Sequence, residues 1–116
     1  MMVRNLLKLE GLLTLCLSIY VYYTYSFNFW IFIALLLVPD ICMFGYMLNK
    51  KIGAQIYNAV HSYSIPIILY AIGSVMSLNF LVLICLIWIA HIGMDRLVGY
   101  GLKYETAFKD THLQRV

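Results

Sequence analysis

From Leu9 to Leu102 the chain is a succession of apolar runs, parted by only three short polar segments. No other feature restricts the fold as much. A hydrocarbon core of ~30 Å is crossed by about 20 apolar residues wound as helix, and a soluble domain of 116 residues cannot hide several runs of that length. Hydrophobic residues make up 64% of the chain and charged ones 11%, a balance outside that of soluble globular domains. The runs lack the two-residue alternation of outer-membrane barrel strands. The expectation is one all-α domain over residues 1–116, an integral membrane bundle of four transmembrane helices. They would occupy about 9–25, 29–48, 53–77 and 80–102, followed by a polar tail over 103–116.

The segments between the runs fit this division. Tyr20, Tyr22, Tyr23, Tyr25, Phe27, Phe29 and Trp30 form an aromatic cluster around a turn at Ser26–Asn28, as expected where rings settle at a membrane–water interface. Asn49–Lys51 is a hydrophilic loop and Ser77–Asn79 a tight turn. Pro39-Asp40 interrupts the second run. Tyr63-Ser64 and Pro66 break the third, which leaves open whether it spans fully or re-enters. Arg4 and Lys8 before an apolar stretch resemble a signal peptide, but Glu10 interrupts it and no small-x-small site follows, so the first run reads as a retained span.

Orientation follows from the cations. With four spans, Arg4, Lys8, Lys50, Lys51, Lys103, Lys109 and Arg115 share one side, and Arg96 lies near it in the last turns of the fourth run. These are all eight Lys and Arg residues, and the turns on the other side carry no charge. The positive-inside rule places both termini in the cytoplasm. The net charge of +3 is then a consequence of topology, and nucleic-acid binding is not expected. Cys16, Cys42 and Cys85 sit within apolar runs as small hydrophobes. Gly93 and the Gly99–Gly101 stretch suit close helix approach. There is no Cys-x-x-Cys pair, glycine-rich phosphate loop or Gly-x-Ser-x-Gly elbow.

The buried polar residues fall at one depth. At ~1.5 Å per residue, Asp40 lies roughly 12 Å above the end of the second run and His61 roughly 12 Å into the third. His91 and Asp95 lie roughly 10–17 Å above Leu102. His91 and Asp95 are i, i+4, and Asn58 and His61 are i, i+3, so each pair shares a helix face. Ionisable groups within a bilayer turn inward to pair or to line a cavity. Two carboxylates and two imidazoles facing one interior suit a divalent transition metal, zinc, manganese or iron. Asp40, His61, His91 and Asp95 are the expected ligands. A buried hydrogen-bond network would account for the same layer without a metal.

The quoted residues also carry a family resemblance. Pro39-Asp40-x-x-Met43-x-Gly45-Tyr46, Gly53, Tyr57-Asn58-x-x-His61, His91-x-x-x-Asp95-Arg96-x-x-Gly99-Tyr100-Gly101-Leu102-Lys103-Tyr104 and Phe108-Lys109-x-Thr111-His112-Leu113 resemble the bacterial membrane family catalogued as domain of unknown function 4260. The resemblance covers nearly the whole chain. It implies a multi-pass protein of the bacterial inner membrane with no assigned activity, and it adds His112 to the polar positions. Pro39-Asp40 and His91-x-x-x-Asp95 are also similar to membrane-bound metal-dependent hydrolase-like families. Ile41 and Cys42 depart from that pattern, which usually continues with a second acidic residue and a histidine.

The functional expectation is a metal-dependent hydrolase working at the cytoplasmic membrane face. Asn58 would orient a ligand or substrate, and Glu10 is a distant candidate base. Arg96, Lys103 and a folded-back His112 would hold an anionic or lipid-linked substrate. The alternatives are a small proton-relay or transport protein and a structural, partner-binding membrane subunit. Against a through-path stands the outer half of the bundle, which offers only Thr24, Ser74, Ser77 and tyrosines.

Overall fold

The computed structural model describes residues 2–38, 50–99, 101 and 113. Among them every regular element is helical: α1 (Met2–Thr24), α2 (Phe29–Leu35), α3 (Lys50–His61), α4 (Ser64–Val75) and α5 (Asn79–Val98). α1 and α5 are long and apolar enough to cross a membrane. With 23 and 20 residues they are roughly 34 and 30 Å long.

Helix boundaries differ from the expected spans for local reasons. α1 starts at Met2 rather than near Leu9; Arg4, Leu6, Leu7 and Lys8 are good helix formers. Its first turn is also anchored. Arg4 Nε donates to the Leu113 carbonyl at 3.1 Å, and Leu113 is buried, so Leu113 lies at the start of α1. α5 ends at Val98 rather than Leu102, because Gly99 takes a left-handed conformation with φ 104° and its N–H donates to the Arg96 carbonyl. Glycine reaches that region without a steric penalty.

The third run, expected over 53–77 with a break at Tyr63-Ser64 and Pro66, forms two helices of 12 residues each. They divide at Ser62–Tyr63. Pro66 has no N–H to offer the Ser62 carbonyl, and its ring crowds that oxygen. The Ser62 hydroxyl instead accepts from the Ser64 N–H at 3.3 Å. Each half is roughly 18 Å long, too short to cross alone. Of the second run, α2 is capped by Asn28, whose side chain accepts from the Trp30 N–H at 2.8 Å. The part expected beyond Val38 lies outside the described residues.

α5 is the central helix. Val82, Leu83, Cys85, Leu86, Ile87, Ala90, His91, Ile92 and Gly93 along it are buried. α1 packs against α5 over much of its length, and α4 packs less extensively on α5. The turn between α4 and α5 closes through Leu78 N–H to the Gly73 carbonyl (2.8 Å) and Ser77 N–H to the Ser74 carbonyl (3.4 Å), with Ser77 at φ 57°. That is a Schellman ending, which satisfies the last carbonyls of α4.

α1 and α5 run antiparallel and meet at two glycines. A Cβ on Gly11 would lie 2.8 Å from the Gly93 carbonyl oxygen, and one on Gly93 would lie 2.7 Å from that of Gly11. Only glycine permits this backbone approach. Nearer the Ser26 turn, Tyr22, Phe32, Val82, Leu83, Leu86, Ile87 and Ala90 form an apolar core. Tyr22 belongs to the aromatic cluster expected at the interface, yet it is buried. It packs edge-on against Phe27 and Phe32, with centroids 5.3 and 5.1 Å away, and its hydroxyl donates to the Asn28 carbonyl. The opposite face of α1 presents Leu6, Leu9, Leu13 and Leu17 outward.

Candidate metal centre

α3 and α5 bring three of the expected ligands together. His61 is the last residue of α3, and His91 and Asp95 lie one turn apart on α5. His61 Nε2 is 3.1 Å from His91 Nε2, and Asp95 Oδ2 is 3.3 Å from each of the two nitrogens. The donor atoms form a nearly equilateral triangle. Both imidazoles are buried, whereas the Asp95 side chain keeps 16% of its surface exposed, so the centre is reached from the Asp95 side.

The far nitrogens set the chemistry of the near ones. His61 Nδ1 lies 3.1 Å from the Tyr57 carbonyl, and His91 Nδ1 lies 2.7 Å from the Leu36 carbonyl. A carbonyl only accepts, so each Nδ1 bonded there carries a proton, and an Nε2 without one turns a lone pair inward. Leu36 is the C-cap of α2, where helix carbonyls lack intrahelical partners. Two lone pairs and a carboxylate oxygen at this separation repel one another unless a cation sits among them or one Nε2 carries a proton. Metal-ligating histidines are held in the same way, with the outer N–H on a carbonyl.

The triangle has the dimensions of one face of a coordination shell. Bonds of ~2.0–2.1 Å put neighbouring donors ~3.3 Å apart around a tetrahedral ion and ~3.0 Å apart around an octahedral one. All three donor atoms lie within 4.8 Å of one another, so a shared ion is sterically allowed. Two imidazoles and one carboxylate suit zinc, iron or manganese.

Surrounding side chains hold the geometry. The Tyr57 ring stacks on His61 at 3.8 Å between centroids, with planes 5° apart, and its hydroxyl approaches Asp95 Oδ2 at 3.5 Å. Trp88 Nε1 donates to the Val60 carbonyl, which fastens the last turn of α3 to α5. Arg96, expected to hold substrate, places its guanidinium 5.2 Å from the Tyr63 ring centre and 3.5 Å from the His61 carbonyl. It therefore spans the α3–α4 break. Tyr63 in turn lies 2.9 Å, hydroxyl to hydroxyl, from Thr14 on α1.

A family model described as Domain of unknown function (DUF4260) matches residues 4–116. The chain belongs to the DUF4260 family. No curated protein and no solved structure matches it.

Other expected site residues of this DUF4260 chain have different surroundings. Asn58 is half-buried on α3, one turn before His61, and Glu10 is exposed on α1. Among the described residues neither belongs to the ligand group. Asp40, Lys103 and His112 lie outside the described residues. Tyr57 was not anticipated as part of the site, although its i, i+4 spacing from His61 was a legible signal. The Leu36 carbonyl left no trace in the side-chain pattern of the DUF4260 sequence, because a main-chain oxygen has none.

Proposed function

We propose that this protein is an integral membrane, metal-dependent hydrolase with its ion held by His61, His91 and Asp95. One observation carries the reading: three donor atoms stand 3.1–3.3 Å apart while both outer imidazole nitrogens are committed to carbonyls. Asp40 is proposed as a fourth ligand from the second run. A five- or six-coordinate ion would then keep a position for water. When bound, such an ion supplies Lewis-acid activation of water for attack on an ester or phosphoester.

The protein groups have separate tasks. The Tyr57 and Leu36 carbonyls keep His61 and His91 in the ligating tautomer. Tyr57 and Asn58 line the α3 side, where they orient Asp95 and substrate. Glu10 is the candidate base. Lys103 and His112 in the tail, together with Arg96, favour an anionic or lipid-linked substrate. The return of Leu113 to the first turn of α1 supports a tail close to the end of the bundle that carries the metal ligands.

Membrane insertion is proposed with four crossings and both termini cytoplasmic. α1 and α5 supply two crossings. α3 and α4 supply a third as an interrupted helix, a form tolerated in membranes where it lines a buried site. The second run supplies the fourth. The lopsided distribution of lysine and arginine supports this orientation.

A second reading rests on the same triangle. A proton on one imidazole would also relieve the repulsion, making the cluster a proton-relay station. Metal content separates the two. After purification in detergent without chelator, the parent is expected to carry stoichiometric zinc, manganese or iron by mass spectrometry, and His61→Ala and Asp95→Ala are expected to lose it. A metal-free parent at neutral pH would favour the relay.

A further inference from the structure

A groove of about 380 Å³ runs between α1, α4 and α5, within the size range of small-molecule sites. Leu17 and Val21 of α1, Ile67 of α4, and Leu86 and Ile89 of α5 form its walls. Its few polar groups have partners within the protein. The Ser18 hydroxyl lies 2.8 and 2.9 Å from the Thr14 and Leu15 carbonyls, and Thr14 meets Tyr63. Water there finds too few groups to bond, and a polar ligand finds no more. The occupant that fits is hydrocarbon.

Two observations specify which hydrocarbon. First, the groove opens sideways. Leu17 and Ile67 on its walls are 61% and 52% exposed, and they continue the outward apolar faces of α1 and α4, which in the membrane reading meet lipid tails. Second, the groove has a direction. From Thr14 to Val21 it follows α1 for roughly 10 Å. Among the described residues, only its Tyr63 end abuts a cation, the Arg96 guanidinium, and the neighbouring residue on α5 is Asp95 of the candidate metal centre. Arginine is well matched to phosphate oxygens.

We propose that the groove holds one acyl chain of an anionic membrane lipid, with the headgroup phosphate at Arg96 and the ester region turned toward His61, His91 and Asp95. This rests on the membrane-embedded metal centre proposed above and names the substrate class for it. A lipid entering from the bilayer reaches the centre without leaving the hydrocarbon layer.

The test uses the full chain in phosphatidylcholine nanodiscs containing a small fraction of phosphatidylglycerol with a photoreactive diazirine on its acyl chain. After irradiation, peptide mass spectrometry is expected to find adducts concentrated on Val21, Ile67 and Ile89. Unlabelled phosphatidylglycerol is expected to compete. Leu86→Trp and Val21→Trp, which fill the groove from opposite walls, are expected to lower those adducts several-fold while retaining parental metal content. Arg96→Gln is expected to lower labelling by the phosphatidylglycerol probe more than by a matching phosphatidylcholine probe, whose choline already offsets the phosphate charge. Adducts spread evenly over Leu6, Leu13 and Ile72 in the parent would overturn the proposal, whether or not the filling variants fold. Metal measured on the same samples keeps the two readings apart: even labelling with metal present sinks the groove alone, and groove labelling in a metal-free parent supports the lipid site while removing the metal.

Discussion

His61 and His91 face each other through their Nε2 atoms at 3.1 Å, while the Nδ1 atom of each lies against a main-chain carbonyl, that of His61 in its own helix and that of His91 in another. The carbonyls come from Tyr57 in α3 and from Leu36 at the end of α2. Tautomer and aim of both rings are therefore set by backbone rather than by exchangeable side chains. Such an arrangement turns both Nε2 atoms toward one point, with the partly accessible Asp95 carboxylate as the third member.

Tyr57 supports this pair in two separable ways, by ring stacking on His61 and by its hydroxyl near Asp95. Outer-sphere partners of metal ligands typically contribute ~10–100-fold in affinity. Tyr57→Phe keeps the stack and is expected to weaken metal binding at the low end of that range. Tyr57→Ala removes both contacts and is expected to reach the high end. Competitive chelator titration checks the order, and equal loss in the two variants would place the whole effect on the hydroxyl.

The glycine contact between α1 and α5 admits no side chain. At Gly11 an added Cβ meets the Arg96 Cβ at 2.5 Å and main chain at 2.8 and 3.0 Å. Relief requires the helices to separate, so Gly11→Ala and Gly93→Ala are each expected to destabilise by about 1–3 kcal/mol. Both act on one contact, and the double variant is expected to fall short of the sum. Thermal unfolding in a fixed detergent measures all three.

Leu113 is buried, and its carbonyl accepts from Arg4 Nε. Lysine lacks a donor at that position along the side chain, so Arg4→Lys is expected to loosen the C-terminal segment despite keeping the charge. Leu113→Ala is expected to do so more strongly, at a cost of about 2–5 kcal/mol if the site is as closely packed as a core leucine. Limited proteolysis, read as the rate of loss of the C-terminal peptide, distinguishes these variants from the parent.

The proposed topology makes opposite demands on the turns and on the basic segments. In a background with Cys16, Cys42 and Cys85 replaced, Ser26→Cys and Ser77→Cys are expected to react with an impermeant maleimide added outside intact cells. Lys51→Cys is expected to react only after permeabilisation. Outside labelling of Lys51→Cys would show that the second and third runs do not cross as proposed.

The sequence by itself determined the helical class, because its apolar runs are too long and too continuous for anything else. It also placed the turns at Ser26 and Ser77, and the His91–Asp95 pair on one helix face, because each depends on local chain geometry. The depth of the polar layer was legible for a similar reason: helical rise is fixed, so His61 could be set level with His91 before any contact was known. Tertiary structure decided the rest. The break near Tyr63-Ser64 and Pro66 was legible in the sequence, but its exact place at Ser62–Tyr63 was decided by the structure. Gly11 gained its meaning only once α5 was laid across it. Arg96, expected only to hold an anionic substrate, also links Tyr63 and the His61 carbonyl. The orientation of both histidines depends on main-chain oxygens, and a backbone carbonyl is the same at every position in a sequence until folding aims it.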